Sequence, residues 1–445
     1  MDKLFGTDGM RGTAGQFPLD FSSVNNLGKA LILLLKEENL PPRVLIGRDT
    51  RESGNWLMEA LFQGIKEASG EAVTLGIIPT SAVSYLTSNH SFSAGIVISA
   101  SHNPYQDNGI KIFSSDGKKI AEEWEAKLEK SLRSPQKNMT RETPDMAPAK
   151  RLIEEYKNFL KGQFAGIKLL HPFKIVLDCA NGSSSLCAPE VFSDLGFDVI
   201  SLSAFPNGKN INTECGSLHP ETLARAVLEN SASIGVAYDG DADRALWVDE
   251  KGTILNGDHT LYACANFMKE TGRLKSDWIV GTIMSNMGLE TALKKMQFKF
   301  SRTQVGDKFV LDEMIRLGAN LGGEQSGHTI FLDQCPTGDG ILTSLKMCEA
   351  MIAKNETLSQ LVEGYTEWPQ ILLNVEVSEK QDFEHFPDIV STVEKIKTGL
   401  GNEGRINLRY SGTELLARIM IEGKNRDQIH SDAQNLAQIL TKHLG

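Results

Sequence analysis

Asp239, Asp241 and Asp243 follow the apolar run Ile234-Gly-Val-Ala-Tyr and immediately precede Arg244. In an extended segment, spacing by two turns all three carboxylates to one side. Like charges that close raise one another's pKa values, and a hard divalent cation relieves the conflict. An all-oxygen set with no His or Cys favours Mg2+ over Zn2+, and Mg2+ usually keeps positions open for water or phosphate. An acidic surface turn is the bland alternative for Asp-Gly-Asp by itself. Calcium is another, although Arg244 stands where the twelve-residue EF-hand frame has its glycine.

Three more loops carry candidate chemistry. Gly95-Ile-Val-Ile runs into Ser99-Ala-Ser-His-Asn-Pro, which offers the hydroxyls of Ser99 and Ser101 with His102 beside the second. A serine nucleophile needs a metal or a base to activate it; taken alone, the same residues also suit a turn that caps its own backbone. Gly322-Gly-Glu-Gln-Ser-Gly-His places Glu324 and Ser326 on one side of a glycine-rich loop. A carboxylate there can accept from two adjacent sugar hydroxyls. His328 is either an acid or base near neutrality or a satisfied structural histidine. Finally, Arg409-Tyr-Ser-Gly-Thr-Glu is followed by Arg418 on an expected strand. Arg409, the hydroxyls of Ser411 and Thr413, and amides near Gly412 could cradle a phosphate. A hairpin turn with a surface salt bridge is the competing account.

The elements needed to position these loops recur along the chain. Three β-rich runs each end in a polar loop: Val44-Leu-Ile-Gly-Arg-Asp, Ile175-Val-Leu-Asp-Cys-Ala-Asn-Gly and Ile279-Val-Gly-Thr-Ile-Met-Ser-Asn. Each is followed by a helical stretch and then by a second strand bearing one of the first three loops above. Alternating strands and helices indicate α/β units, whose ligands bind beyond the carboxyl ends of the strands. The polar segment 134–150, with three prolines, reads as a connection, and residues 151–164 return to a helical rhythm. A second break falls near Tyr365-Thr-Glu-Trp-Pro-Gln, after which a smaller α+β module begins. The expected domains are residues 1–150, 151–255, 256–366 and 367–445.

With 445 residues, several domains are expected. Forty-six basic against 57 acidic residues leave a net charge of −11, which argues against a nucleic-acid surface spread over the molecule. An anionic small substrate then requires cations gathered locally, as around Arg409. The six cysteines are scattered with no CxxC pair, which suggests reduced cytosolic thiols and argues against a zinc site. The N-terminus lacks the basic start and apolar run of a secretory signal, and the apolar run 27–35 is too short to span a bilayer. A cytoplasmic location, with no membrane partner, is the expectation.

Taken together and in order, the loops resemble those of the α-D-phosphohexomutase superfamily along essentially the whole chain. Phe5-Gly-Thr-Asp-Gly-Met-Arg-Gly is similar to its opening signature, and Ala100-Ser-His-Asn-Pro to its phosphoserine loop. Asp239-Gly-Asp-Ala-Asp-Arg resembles the metal loop, Gly323-Glu-Gln-Ser-Gly-His the sugar loop, and Arg409-Tyr-Ser-Gly-Thr-Glu the phosphate loop. One departure is Leu415, where the family commonly has proline. The opening signature and the Glu-Gln-Ser-Gly-His form are most similar to the branch acting on glucosamine phosphates.

The resemblance implies three related α/β domains with mixed sheets and a smaller C-terminal α+β domain around a central cleft. It also implies conversion of glucosamine 6-phosphate to glucosamine 1-phosphate, through a phosphorylated Ser101 and a glucosamine 1,6-bisphosphate that also serves as activator. Such an enzyme supplies amino sugar for UDP-N-acetylglucosamine and cell-wall synthesis. One Mg2+ per chain would be held by Ser101, Asp239, Asp241 and Asp243. Arg244, Lys111 and His328 would join Ser101 in catalysis, the last two as acid/base candidates. Glu324, Ser326, Arg11, Arg409, Ser411, Gly412, Thr413 and Arg418 would bind the substrate, and the chain would act as a monomer or homodimer. Broader phosphomannomutase or phosphoglucomutase specificity, a metal-dependent phosphatase and a catalytically silent sugar-phosphate sensor are the alternatives.

Overall fold

The computed structural model describes residues 3–6, 8–133, 144, 146–169, 171–411 and 415–445. Most of the proline-bearing connection, together with Gly412 and Thr413, lies outside the described residues.

Three mixed sheets repeat one plan. In the first, Arg43–Arg48 lies between two parallel neighbours, Glu71–Ile77 and Ala94–Ile98, and Asp107–Ser114 returns antiparallel beside the latter. In the second, Lys174–Asp178 lies between Asp198–Leu202 and Ile234–Tyr238, with Ala245–Val248 returning. In the third, Trp278–Thr282 lies between Lys299–Thr303 and Leu321–Gly323, with Thr329–Phe331 returning. Residues 99–106, 239–244 and 324–328 are the turns from the third parallel strand into the return strand. Each candidate loop of the first three therefore occupies the same topological position, at the carboxyl end of its sheet. The strands that lead into the first two, Ala94–Ile98 and Ile234–Tyr238, are buried at every residue, as continuous apolar runs covered on both faces should be.

The helix Phe21–Glu37 starts where the Asp20 carboxylate accepts from the Ser22 and Ser23 amides, and it contains the apolar run read at 27–35. It packs on the helix Ser53–Glu67 so closely that a Cβ on Gly64 would lie 1.9 Å from the Asn25 carbonyl oxygen. Gly64→Ala must push the helices apart, and overpacking of this kind costs about 1–3 kcal/mol. The expected result is a lower midpoint for the first thermal transition, read by circular dichroism. An unchanged midpoint would mean that the helix pair yields freely.

By its contacts the chain forms two units, one of residues 1–284 and 297–363, the other of residues 285–296 and 364–445. The second unit is α+β. Its antiparallel sheet runs in the order Gln370–Glu376, Leu416–Gly423, Gly404–Tyr410, and the helices Pro387–Leu400 and Arg426–Leu444 close a core around Ile389, Ile419 and Leu436. The helix Met287–Lys295 belongs to this unit: the Asn286 side chain caps it and exchanges two hydrogen bonds with the Trp368 backbone (2.9 and 3.0 Å). Its first amide, that of Met287, donates to Glu422. No described helix is long and apolar enough to cross a membrane.

Candidate active site

The turn after Ile234–Tyr238 brings one oxygen from each of Asp239, Asp241 and Asp243 within 4.8 Å of the others, all three side chains buried. Gly240 permits this arrangement, because a Cβ there would lie 2.6 Å from the Ser101 carbonyl oxygen. The metal loop and the serine loop therefore abut backbone to backbone. Ser101, 1% exposed, donates its Oγ–H to Asp239 Oδ2 at 2.6 Å. Its backbone is left-handed, with φ 51°, so the hydroxyl stands at an elbow and not along a strand. Ser99 takes a different part: its Oγ accepts from the Ser101 amide and donates to Asp49.

Lys111 reaches the cluster from the return strand Asp107–Ser114, with Nζ 3.0 Å from Asp241 Oδ2, 3.0 Å from Asp243 Oδ2 and 3.1 Å from Asp8 Oδ2. Burial alone would lower its pKa, but those three carboxylates outweigh burial and hold the ammonium well above its ordinary value. The carboxylates respond differently. Burial, reinforced by Asp243 and Asp241, raises Asp239 well above the ordinary range. Burial raises Asp243 too, yet Lys111, His328 and Arg244 together outweigh it and the pKa falls well below that range. Asp241 also accepts from the Thr80 hydroxyl at 2.6 Å.

Asp241 Oδ1 and Asp243 Oδ1 are buried and have no donor among the described residues. Two orphaned carboxylate oxygens in an all-oxygen cluster beside Ser101 fit a hard divalent cation. An EF-hand calcium loop does not fit. Its sixth position is Arg244, Ala245–Val248 is a strand, and Glu250 accepts from the Ser359 hydroxyl instead.

A cavity of about 420 Å³ is lined by Asp8, Arg11, His102, Arg244, Glu324 and His328 among others. Glu324 is buried, and its Oε1 accepts from the Gly306 amide at 3.0 Å, which fixes the carboxylate. Arg11 pairs with Asp8 and reaches Asn103. Ser326 is half-buried on the Glu324 turn but is not among the residues lining this cavity. His102 Nδ1 is 3.4 Å from Ser101 Oγ. Burial, then the Arg244 and Arg11 cations, push its pKa down to about 4, so the ring is neutral at pH 7.

His328 feels opposing demands. Burial disfavours its protonation, but the carboxylates of Asp243, Asp307 and Glu324 outweigh burial and draw the pKa up to about 9. Its Nε2, however, accepts from the Gly338 amide at 3.0 Å. A backbone amide can only donate, so that bond exists only with the neutral ring, whose Nδ1–H then faces Asp243 Oδ2 at 3.8 Å. The ring is thus held at Nε2, with Nδ1 turned toward Asp243.

In the second unit, Arg409 and Arg418 stand directly opposite one another on neighbouring antiparallel strands. Like charges facing across a ladder are destabilising unless an anion relieves them. Ser411 is buried, and its amide donates to the Leu416 carbonyl. Leu415, by contrast, is exposed. Asp8, Thr80 and Asp49 were not singled out in the sequence. Asp8, inside Phe5-Gly-Thr-Asp-Gly-Met-Arg-Gly, and Asp49, at the end of Val44-Leu-Ile-Gly-Arg-Asp, lie in runs that could have pointed to them, and Thr80 does not.

Comparison with known proteins matches four consecutive family models. These are phosphoglucomutase/phosphomannomutase alpha/beta/alpha domains I (residues 2–139), II (154–252) and III (256–368), and the C-terminal domain (372–439). The chain is 42% identical to the phosphoglucosamine mutase of Syntrophus aciditrophicus, with 100% of both chains covered. It is 44% identical to that of Geobacter sp. strain M21, covering 100% of this chain and 99% of the relative. The fold matches a phosphoglucomutase/phosphomannomutase family protein from Burkholderia thailandensis, with TM-score 0.80, 22% identity and 99% and 97% of the two chains covered. It also matches Aspergillus fumigatus N-acetylphosphoglucosamine mutase, solved with GlcNAc-6P and magnesium, with TM-score 0.67, 20% identity and coverage of 99% and 95%.

Proposed function

Because this chain belongs to the phosphoglucomutase/phosphomannomutase family, we propose that it is a phosphoglucosamine mutase working through a phosphorylated Ser101. The observation that carries this reading is the buried Ser101 hydroxyl held 2.6 Å from Asp239 within the aspartate cluster. The amino-sugar preference follows the full-length relatives, which bear that name at 42% and 44% identity.

In the forward direction the Ser101 Oγ–P bond breaks while a P–O bond forms to the free hydroxyl of glucosamine 6-phosphate. The hydroxyl proton leaves and, in the balance, Ser101 Oγ regains one. The 1,6-bisphosphate then returns its other phosphate to Ser101, and glucosamine 1-phosphate leaves. Mg2+ held by Ser101, Asp239, Asp241 and Asp243 would neutralise charge on the transferring group. Lys111, beside the same oxygens, is a counter-charge and an acid/base candidate. Arg244 and Arg11 add cationic donors at the cavity. The fixed Glu324 carboxylate accepts from sugar hydroxyls, and His328, held at Nε2 with Nδ1 toward Asp243, is an acid/base candidate. Arg409, Ser411 and Arg418, with Gly412 and Thr413, are the second unit's candidates for holding a phosphate. Burial of Ser101 limits loss of its phosphate to water.

The test is kcat/KM for glucosamine, glucose and mannose phosphates, with Mg2+ and a trace of bisphosphate. A preference for the amino sugar of tenfold or more, about 1.4 kcal/mol in transition-state binding, is expected. Equal or better rates on glucose or mannose phosphate would assign the broader hexomutase activity. Net phosphate release without isomerisation would assign a phosphatase.

A further inference from the structure

The polar loop that ends the first strand, Gly47-Arg48-Asp49-Thr50-Arg51, has no part in the chemistry described so far. Arg51 is fully buried, and its guanidinium spends its donors on the serine loop. Nη2 donates to the carbonyls of Ser101 (3.0 Å) and Asn103 (2.8 Å), and Nη1 to those of Asp107 (3.1 Å) and Pro104. Nε pairs with Asp49 Oδ2 at 2.8 Å. Asp49 in turn accepts from Ser99 Oγ at 2.6 Å, and Ser99 Oγ accepts from the Ser101 amide at 2.9 Å. Both backbone polar groups of Ser101 therefore lead back to one buried ion pair.

Ser101 is also the residue whose backbone is left-handed, a conformation costing a non-glycine residue about 1–3 kcal/mol that its surroundings must hold in place. Relaxation of that elbow would swing Oγ away from Asp239. The Asn212 side chain, from the second α/β repeat, donates to the same two carbonyls, Ser101 (2.9 Å) and Asn103 (3.0 Å). We propose that Arg51 is a positioning residue for phosphoryl transfer: with Asn212 it locks Ser101 in the left-handed conformation that aims its hydroxyl at the metal loop. The planar fork matters, since one guanidinium serves four carbonyls where an ammonium would serve fewer from a single atom.

This inference rests on the phosphoserine reading above. The test compares the parent with Arg51→Lys, Asn212→Ala and the double variant. The readouts are melting temperature, kcat and KM, and the rate at which glucosamine 1,6-bisphosphate phosphorylates Ser101, followed by intact mass. Arg51→Lys is expected to slow phosphorylation and kcat together by about 100-fold, the cost of a misplaced reacting atom, with KM little changed. Asn212→Ala, which leaves no buried charge unpaired, is expected to slow both about tenfold. The double variant should lose less than the product of the two, because both groups hold the same oxygens. A folded Arg51→Lys that melts earlier but is phosphorylated at the parental rate would reduce Arg51 to a structural part. Should Arg51→Lys not fold, Asn212→Ala decides alone, and parental phosphorylation in it overturns the inference. A parent that takes up no phosphate sinks the phosphoserine reading and the inference together, whereas failure in the variants' comparison sinks only the inference.

Discussion

Ser101→Ala should fold like the parent and lose about 10⁴-fold or more of its turnover, the scale seen when a nucleophile is removed from a site that otherwise stays intact. The change removes one oxygen. The left-handed backbone is as costly for alanine as for serine, so the elbow adds no new strain. Asp239 loses its 2.6 Å donor, a cost of about 1–3 kcal/mol for a buried acceptor. Stability should therefore fall modestly while catalysis collapses, and intact mass should show no phosphate uptake from bisphosphate. Near-normal turnover in a folded Ser101→Ala would falsify the phosphoserine mechanism outright.

Asp241→Ala should separate charge relief from metal binding. Without a cation, removing one of three crowded carboxylates lowers their mutual repulsion, while Lys111 keeps Asp8 and Asp243 as partners. The Thr80 hydroxyl loses its acceptor, which offsets part of that gain. The melting temperature in chelator should consequently change little. In the parent, a ligand that binds only the folded state stabilises it by about 2.7 kcal/mol at one hundred times its Kd, so Mg2+ should raise the melting temperature clearly. Asp241→Ala should lose most of that rise and about 10³-fold in kcat, the order expected when a fixed electrostatic partner of the transition state is removed. If Mg2+ stabilises the variant as much as the parent, the cation sits elsewhere.

The loops that bear Ser101, the three aspartates and Glu324 were legible because each combines a local signal, an apolar strand, with polar residues immediately after it. The same signal exposed the three-fold recurrence of the α/β plan. It did not expose the antiparallel return strands: Asn108-Gly-Ile-Lys carries Lys111, but only pairing with Ala94–Ile98, which sets Lys111 opposite Val97, shows that the ammonium meets the aspartates. Lys111 was an acid/base candidate through the resemblance, and His328 through residue type as well. Neither source reveals that three carboxylates surround the Lys111 ammonium, or that the Gly338 amide donates to His328 Nε2 while Nδ1 faces Asp243. Arg51 and Thr80 were harder still. An arginine followed by a helix is ordinary in sequence, and its four carbonyl acceptors lie some fifty residues away. Supporting groups of this sort have no local pattern, because their partners are chosen by tertiary contact.

The helix Met287–Lys295 has a consequence for how the molecule is made. The ribosome releases it before residues 364–445, the rest of the unit to which it belongs. Until Trp368 arrives, Asn286 lacks the backbone it brackets, and until Glu422 follows, the Met287 amide lacks its acceptor. The nascent chain therefore carries this segment without its Trp368 and Glu422 bonds while Gln297–Glu363 is still being added. The C-terminal unit can close only when synthesis is nearly over, and a gene truncated after residue 363 would leave the helix without those bonds.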